Sequence, residues 1–282
     1  MLGPTIQRKF QNMTRDNEMT SVPYAALQEF AVNLVREVGP VALKYFRSEI
    51  PVINKSGSNQ FDPVTQADRE IEMLIRRRIE SVYPTHGIVG EEEASREGDG
   101  LHRWIIDPID GTRAYISGSP MWGILLGFQA REDCILGVMY QPYLNEMFTG
   151  IRGGGATFEN GWGHRAIVTR KTTSLAEAIL YCTHPSIFGN QQDLDRFLGI
   201  ADRCRMMRYG GDCYAYGLLA YGLIDLVIEG GLAPYDIIPL IPIIEAAGGV
   251  VTNWEGGPAT SGGRIIAVAT LQLHEAALRL LS

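Results

Sequence analysis

The sequence predicts a mixed α/β fold in which sheets and helices lie in layers. Two rhythms along the chain lead to it. Between residues 87 and 151 short β-like runs follow one another with turn residues between them, and after residue 179 strand and helix alternate. No repeat and no low-complexity linker interrupts the 282 residues, a length that holds one or two domains around a sizeable core. Composition agrees: 45% apolar and 20% charged residues is globular rather than disordered.

The elements follow in order. Residues 1–20 carry no usable periodicity and read as a loose arm, with Met19 a second candidate start. Ser21 caps a long helix with Pro23 in its first turn, and Leu27, Phe30, Ala31, Leu34, Val35, Val38, Ala42 and Phe46 form its apolar face. Gly39-Pro40 should bend it. A polar loop, NKSGSNQFDPVTQAD, leads into a second helix starting near Thr65, with Ile71, Leu74, Ile75, Ile79 and Val82 on one side and Pro84 as terminator. Strands are expected at 87–90, 104–107, 123–130, 135–140 and 146–151.

In the second half, strands fall at 179–182, 224–229, 250–253 and 265–269. Helices fall at 191–197, 215–221, 237–247 and 271–281. Pro242 should kink the 237–247 helix near its start, because it cannot bond the Ile238 carbonyl. The chain thus divides into an N-terminal α+β subdomain over 21–182 and a C-terminal α/β subdomain over 183–282.

Several function classes drop out. Net charge is −7, with basic runs no longer than Arg76-Arg77-Arg78, which argues against nucleic acid. No apolar stretch reaches the roughly 18 residues that cross a bilayer, so no membrane is expected. The N-terminus lacks a signal peptide's apolar core. Cys134, Cys182, Cys204 and Cys213 have no paired spacing, which suits reduced thiols and a cytoplasmic protein.

The informative feature is a set of carboxylates at strand and loop ends. Glu91, Glu92 and Glu93 follow GIVG; Asp107 and Asp110 lie in WIIDPIDGT; Asp62 and Asp68 frame DPVTQAD; Asp236 opens a late helix. Gathered acids repel unless a cation lies among them, and hard divalent ions with oxygen ligands supply that charge. Glu92, Glu93 and Asp62 read equally well as solvated loop acids. Asp107 and Asp110 do not, because Gly111 and Thr112 follow them and free N–H groups at a turn there can hold a phosphate. Thr112 taken alone is also a plain helix cap. His86, His102, His164, His184 and His274 have no metal-ligand spacing, and Gly153-Gly154-Gly155 lacks the Lys-Ser/Thr of a phosphate loop.

Four blocks in order, DPVTQAD (62–68), GEEE (90–93), WIIDPIDGT (104–112) and YDIIPLIPIIEAAGG (235–249), resemble the inositol-monophosphatase superfamily of Mg²⁺-dependent, lithium-sensitive phosphatases. The resemblance implies an αβαβα sandwich, two to three Mg²⁺ ions and a homodimer. It makes Glu91, Asp107, the Ile109 carbonyl, Asp110 and Asp236 metal ligands. Asp68 with Thr112 would orient and deprotonate the attacking water, Lys55 would lie near the metals, and Gly111 and Thr112 would hold phosphate.

The leaving-group wall is implied for RYGGDCYAYGLLAYGLIDLVIEGGLAPYD, with Asp110, Asp212, Glu229 and Arg208 as substrate contacts and Tyr209 and Tyr216 nearby. Two carboxylates beyond those needed for metals favour a cationic leaving group. GGDCYAY and TRAYISGSP resemble the histidinol-phosphate phosphatases of this superfamily. The small-molecule phosphate ester expected is therefore L-histidinol phosphate. Inositol 1-phosphate or a broader sugar phosphate is the alternative, and a non-catalytic regulatory binder a distant third. Asp212 also reads as a helix cap.

Overall fold

In a computed structural model, described for residues 24–49, 52–54 and 63–281, the chain forms five layers. Helix α1 (Tyr24–Tyr45) and helix α2 (Gln66–Val82) make the outermost one. They cover a seven-stranded sheet of β3 (Gly87–Gly90), β4 (His102–Asp110), β5 (Gly123–Ala130), β6 (Asp133–Gln141), β7 (Glu146–Ile151), β8 (Gly155–Asn160) and β9 (Gly163–Ile167), in that spatial order. Only β3 and β4 run parallel; the rest is an antiparallel meander. A two-stranded ribbon, β1 (Val52–Asn54) with β2 (Pro63–Thr65), stands apart, and the short helix α3 (Thr112–Ile116) follows β4.

The second sheet has the order β11 (Met206–Tyr209), β10 (Ile179–Cys182), β12 (Leu226–Leu232), β14 (Gly263–Val268), β13 (Val250–Asn253). Helices α5 (Asp212–Ala220), α6 (Pro234–Ile237) and α7 (Leu240–Ala246) lie between the sheets, and α4 (Gln191–Ala201) and α8 (Leu271–Leu281) cover the far side. The expected αβαβα layering is what the chain adopts.

Sheet periodicity decides which residue joins which core. In the buried strand β5, Ile124, Leu126 and Phe128 face α1 and α2, while Leu125 faces the inter-sheet layer. Helix α1 runs through Gly39-Pro40 without interruption. The 237–247 helix is instead broken into α6 and α7 with Pro239 as the cap between them. Pro242 falls in the first turn of α7, where its missing N–H removes no intrahelical bond.

The broken segment lies in a lane cut across the first sheet. Gly127, Gly137 and Gly150 are neighbours in register on β5, β6 and β7. A Cβ on Gly127 would sit 3.1 Å from Pro239 Cα; one on Gly137 would overlap the Pro239 carbonyl, and one on Gly150 the Ile243 backbone. Backbone therefore packs on backbone, with Asp236 just upstream. Gly137→Ala should lower stability by about 1–3 kcal/mol, as overpacking does, and should lower activity at a site it does not touch. Chemical denaturation and a phosphatase assay of the same variant check both.

Candidate active site

Asp107 stands within β4 rather than at its end. It pairs with Leu125, Asp110 pairs with Gly123, and the register slips between them. A bulge of this kind re-aims side chains, and Pro108 is tolerated there because a bulge needs no ladder donor. The result brings ligand atoms of Asp107, Asp110 and Asp236 within 4.8 Å of one another. Asp107 is 1% exposed, and its Oδ1 accepts from the Ile109 N–H at 3.1 Å. Asp110 Oδ2 accepts from the Cys213 N–H at 2.7 Å, which joins it to the first turn of α5. Asp236 Oδ2 accepts from the Ala233 N–H at 2.7 Å.

Burial pushes the Asp107 carboxyl well above the usual range, and the charges of Glu91, Asp110 and Asp236 push it further. Burial does the same to Asp110, with Asp236 and Asp212 adding to it. Two buried acids made this reluctant to ionise, with a third carboxylate beside them, fit a bound cation, which would displace their protons. The donors are all oxygen, the set that suits Mg²⁺. A second group of metal-capable side chains, His86, Asp99 and His102, lies elsewhere. There His86 Nδ1 accepts from Trp104 Nε1 and Asp99 Oδ2 bonds His102 Nδ1. With Nδ1 accepting, the other ring nitrogen of His86 carries its proton and offers no lone pair.

Asp68 occupies the third position of α2. Its Oδ2 accepts from the Thr65 N–H at 2.9 Å and from Thr65 Oγ1 at 2.5 Å, closing a capping box. Its Oδ1 is buried with no partner, and burial raises the carboxyl to about 6. Thr112 Oγ1 donates to the Ile109 carbonyl at 3.1 Å. Gly111 has φ 85, and a Cβ there would lie 2.8 Å from the Met121 carbonyl and 3.1 Å from Asp212 Cβ. Only glycine suits that position. Lys55 and Asp62 lie outside the described residues.

A further group of buried acids lies near this cluster. Glu229, on β12, is 2% exposed; Oε1 accepts from the Thr183 N–H at 2.8 Å and Thr183 Oγ1 at 3.0 Å, and Oε2 has no partner. Burial raises this carboxyl to about 8. The buried Tyr216 hydroxyl, close enough to feel Glu229, Asp110 and Asp236, has no partner either. Asp212 is raised to about 6 by burial. It makes no side-chain cap, since Gly211 holds the cap position, and its φ of 43 is left-handed. Such strain persists where the surroundings fix it. Arg208 lies on the exposed edge strand β11 and makes no hydrogen bond or ion pair with Asp212 or Glu229.

Sequence reasoning missed Thr183 and Glu72. Thr183 reaches Glu229 across 46 positions and leaves no local signal. Glu72 did leave one: together with Asp68, Ile71, Ile75 and Ile79 it lies on the buried stripe of α2, where an acid is out of place. The four cysteines are free, and no described helix is long and apolar enough to cross a membrane.

Comparison with known proteins agrees with this geometry. The model of the inositol monophosphatase family matches residues 24–282. The bifunctional chloroplastic phosphatase IMPL2 of Arabidopsis thaliana is 40% identical over 220 residues, 77% of this chain and 61% of that protein, so the chain spans about three fifths of that relative. A histidinol-phosphatase of Chlorobaculum parvum is 32% identical over 81% of this chain and 86% of its own. The solved structure of an inositol monophosphatase from Zymomonas mobilis superposes with a TM-score of 0.81 at 34% identity, covering 92% of this chain and 99% of that one. A match over nearly the whole described chain, with the acidic motifs converging in space, places this protein in the inositol monophosphatase family.

Proposed function

We propose that this chain is a Mg²⁺-dependent phosphomonoester hydrolase whose substrate is L-histidinol phosphate, an ester of an alcohol bearing an ammonium group and an imidazole ring. One observation carries the choice of substrate: a buried carboxylate oxygen of Glu229, without a partner, close enough to Asp236 of the metal-capable cluster to feel its charge. Once ionised, such an acid attracts a cation about 4 Å away by roughly 4 kcal/mol at an effective dielectric of 20, more than the roughly 1.4 kcal/mol that one pK unit of deprotonation costs at pH 7. Asp212 supplies a second acid for the second nitrogen group. The family supports the hydrolase chemistry, and the relative named histidinol-phosphatase supports the substrate.

In this reading Glu91, Asp107, Asp110, Asp236 and the Ile109 carbonyl would hold two to three Mg²⁺ ions, which would supply an acidified water and a counter-charge for the departing oxygen. Asp68 takes the proton of the attacking water at its unpartnered Oδ1. The Thr112 hydroxyl, whose proton is committed to Ile109, orients that water through its lone pairs. The N–H groups of Gly111 and Thr112 receive phosphate oxygens, Lys55 adds positive charge nearby, and Arg208 stands at the rim. No covalent phosphoenzyme is needed.

Inositol 1-phosphate is the second reading, favoured by the unpartnered Tyr216 hydroxyl, which suits a polyol. Phosphate release from the two esters, measured in parallel with Mg²⁺, separates them. A preference of about a hundredfold in kcat/KM for histidinol phosphate, some 2.7 kcal/mol, is expected. Asp212→Asn tests the wall without disturbing its backbone, because asparagine tolerates positive φ. It should lower kcat/KM for histidinol phosphate by roughly tenfold or more and leave inositol phosphate within about threefold. Equal losses on both substrates refute the amine pocket.

A further inference from the structure

The 91–93 loop is held by two residues that no catalytic role requires. Glu72 lies on α2 one turn after Asp68 and is fully buried. Its Oε2 accepts from the Glu92 N–H at 2.8 Å; its Oε1 accepts from the Glu93 N–H at 3.1 Å and from Arg76 Nε at 2.7 Å. Arg76 Nη2 in turn donates to the Glu93 carbonyl at 2.9 Å. Two N–H groups and one carbonyl of residues 92–93 are therefore satisfied by one ion pair on a helix.

The need for this is topological. The ladder of β3 with β4 ends at Gly90–Ile106, so the main chain beyond it has no strand partner. Gly90 is part of the device, because a Cβ there would overlap Glu72 Oε1 and lie 2.8 Å from Arg76 Nη2. Arg76 also neutralises Glu72, which keeps that carboxylate from competing for a cation.

We propose that Glu72 and Arg76 are positioning residues for Glu91. The pair fixes the 91–93 loop before any cation arrives and so holds Glu91 beside Asp107. The inference rests on the assignment of Glu91 as a metal ligand. It also ties two parts of the site together: Asp68, on the same helix, and Glu91, on the clamped loop, keep their register because α2 carries both.

Glu72→Gln in the full chain tests it. Glutamine offers one oxygen and turns an N–H toward a donor, so one of the two loop bonds is lost. By calorimetry, the Mg²⁺ dissociation constant should rise by roughly tenfold or more. In metal-free protein the Glu92 and Glu93 amides should exchange faster by a similar factor, while kcat at saturating Mg²⁺ stays within about threefold of wild type. Gly90→Ala should reproduce this from the other side of the contact. Should Glu72→Gln fail to fold, Arg76→Lys, which reaches Glu72 or Glu93 but not both, should weaken Mg²⁺ binding in the same direction.

Wild-type Mg²⁺ affinity and exchange in Glu72→Gln, or a fall in kcat with affinity unchanged, overturns the proposal. Glu91→Gln separates it from the reading beneath. If that variant binds Mg²⁺ as wild type does, the ligand assignment is wrong, whatever the exchange data say of the clamp.

Discussion

Asp107→Asn is expected to yield an inactive enzyme that is more stable than wild type when metal is absent. Asp107 is buried among Glu91, Asp110 and Asp236, and its carboxyl titrates well above the ordinary value in the folded chain. The sign follows from linkage. A folded-state value above the unfolded one means the native protein binds more protons, so this contribution is full below about pH 4 and is lost as pH rises toward the folded value. Asparagine removes the penalty and can still accept from the Ile109 N–H. In chelator at pH 8 the variant's Tm should exceed wild type by several degrees, at roughly 2–4 °C per kcal/mol for chains somewhat smaller than this one. Added Mg²⁺ should raise the wild-type Tm and leave the variant's nearly unchanged. Turnover should fall by about a thousandfold or more, some 4 kcal/mol of lost transition-state stabilisation. A variant that melts lower in chelator yet keeps its Mg²⁺ response would contradict the reading of Asp107 at the centre of the site.

Glu229→Gln should change the protonic signature of ligand binding. Burial holds the Glu229 carboxyl at about 8, so at pH 7 it is mostly neutral in the free protein. A cationic alcohol such as L-histidinol favours the carboxylate, and one proton is released as the pair forms. Calorimetry of histidinol binding at pH 7, repeated in buffers of different ionisation enthalpy, should show wild type releasing close to one proton more than Glu229→Gln. The glutamine keeps an oxygen for Thr183 and should cut kcat/KM for histidinol phosphate by about a hundredfold. Its Tm should exceed wild type by most at pH 8 and by least near pH 5, because the wild-type penalty grows from the unfolded value of 4.5 to the folded one. Identical proton counts for the two proteins would leave Glu229 a structural acid.

What could be read in advance follows a physical division. Asp107, Asp110, Gly111 and Thr112 are contiguous, so their chemistry survives as a motif; strands 123–130 and 146–151 are apolar and bounded by turns, and their limits are the observed ones. The edge strands β9 and β11 were invisible, because an exposed edge such as Gly163–Ile167 has little apolar face to show. The break between α6 and α7 was misplaced by one turn, since two prolines compete for it and only packing against the sheet decides. Thr183 and the role of Glu72 depend on contacts across 46 and about 20 positions, which no local pattern encodes.

The glycine lane under α6 and α7 has a consequence for how the site ages under mutation. Most catalytic groups are held by interlocking side chains, whose volumes drift as sequences diverge. Asp236 is instead referenced to a surface of bare main chain at Gly127, Gly137 and Gly150, and main-chain thickness is the same whatever the sequence. Its distance from Asp107 and Asp110 is gauged by a ruler that substitution can obstruct but cannot rescale. Divergence can then rework the rest of the inter-sheet layer, including the parts of α5 and β12 that carry Asp212 and Glu229, while the metal-capable cluster keeps its dimensions.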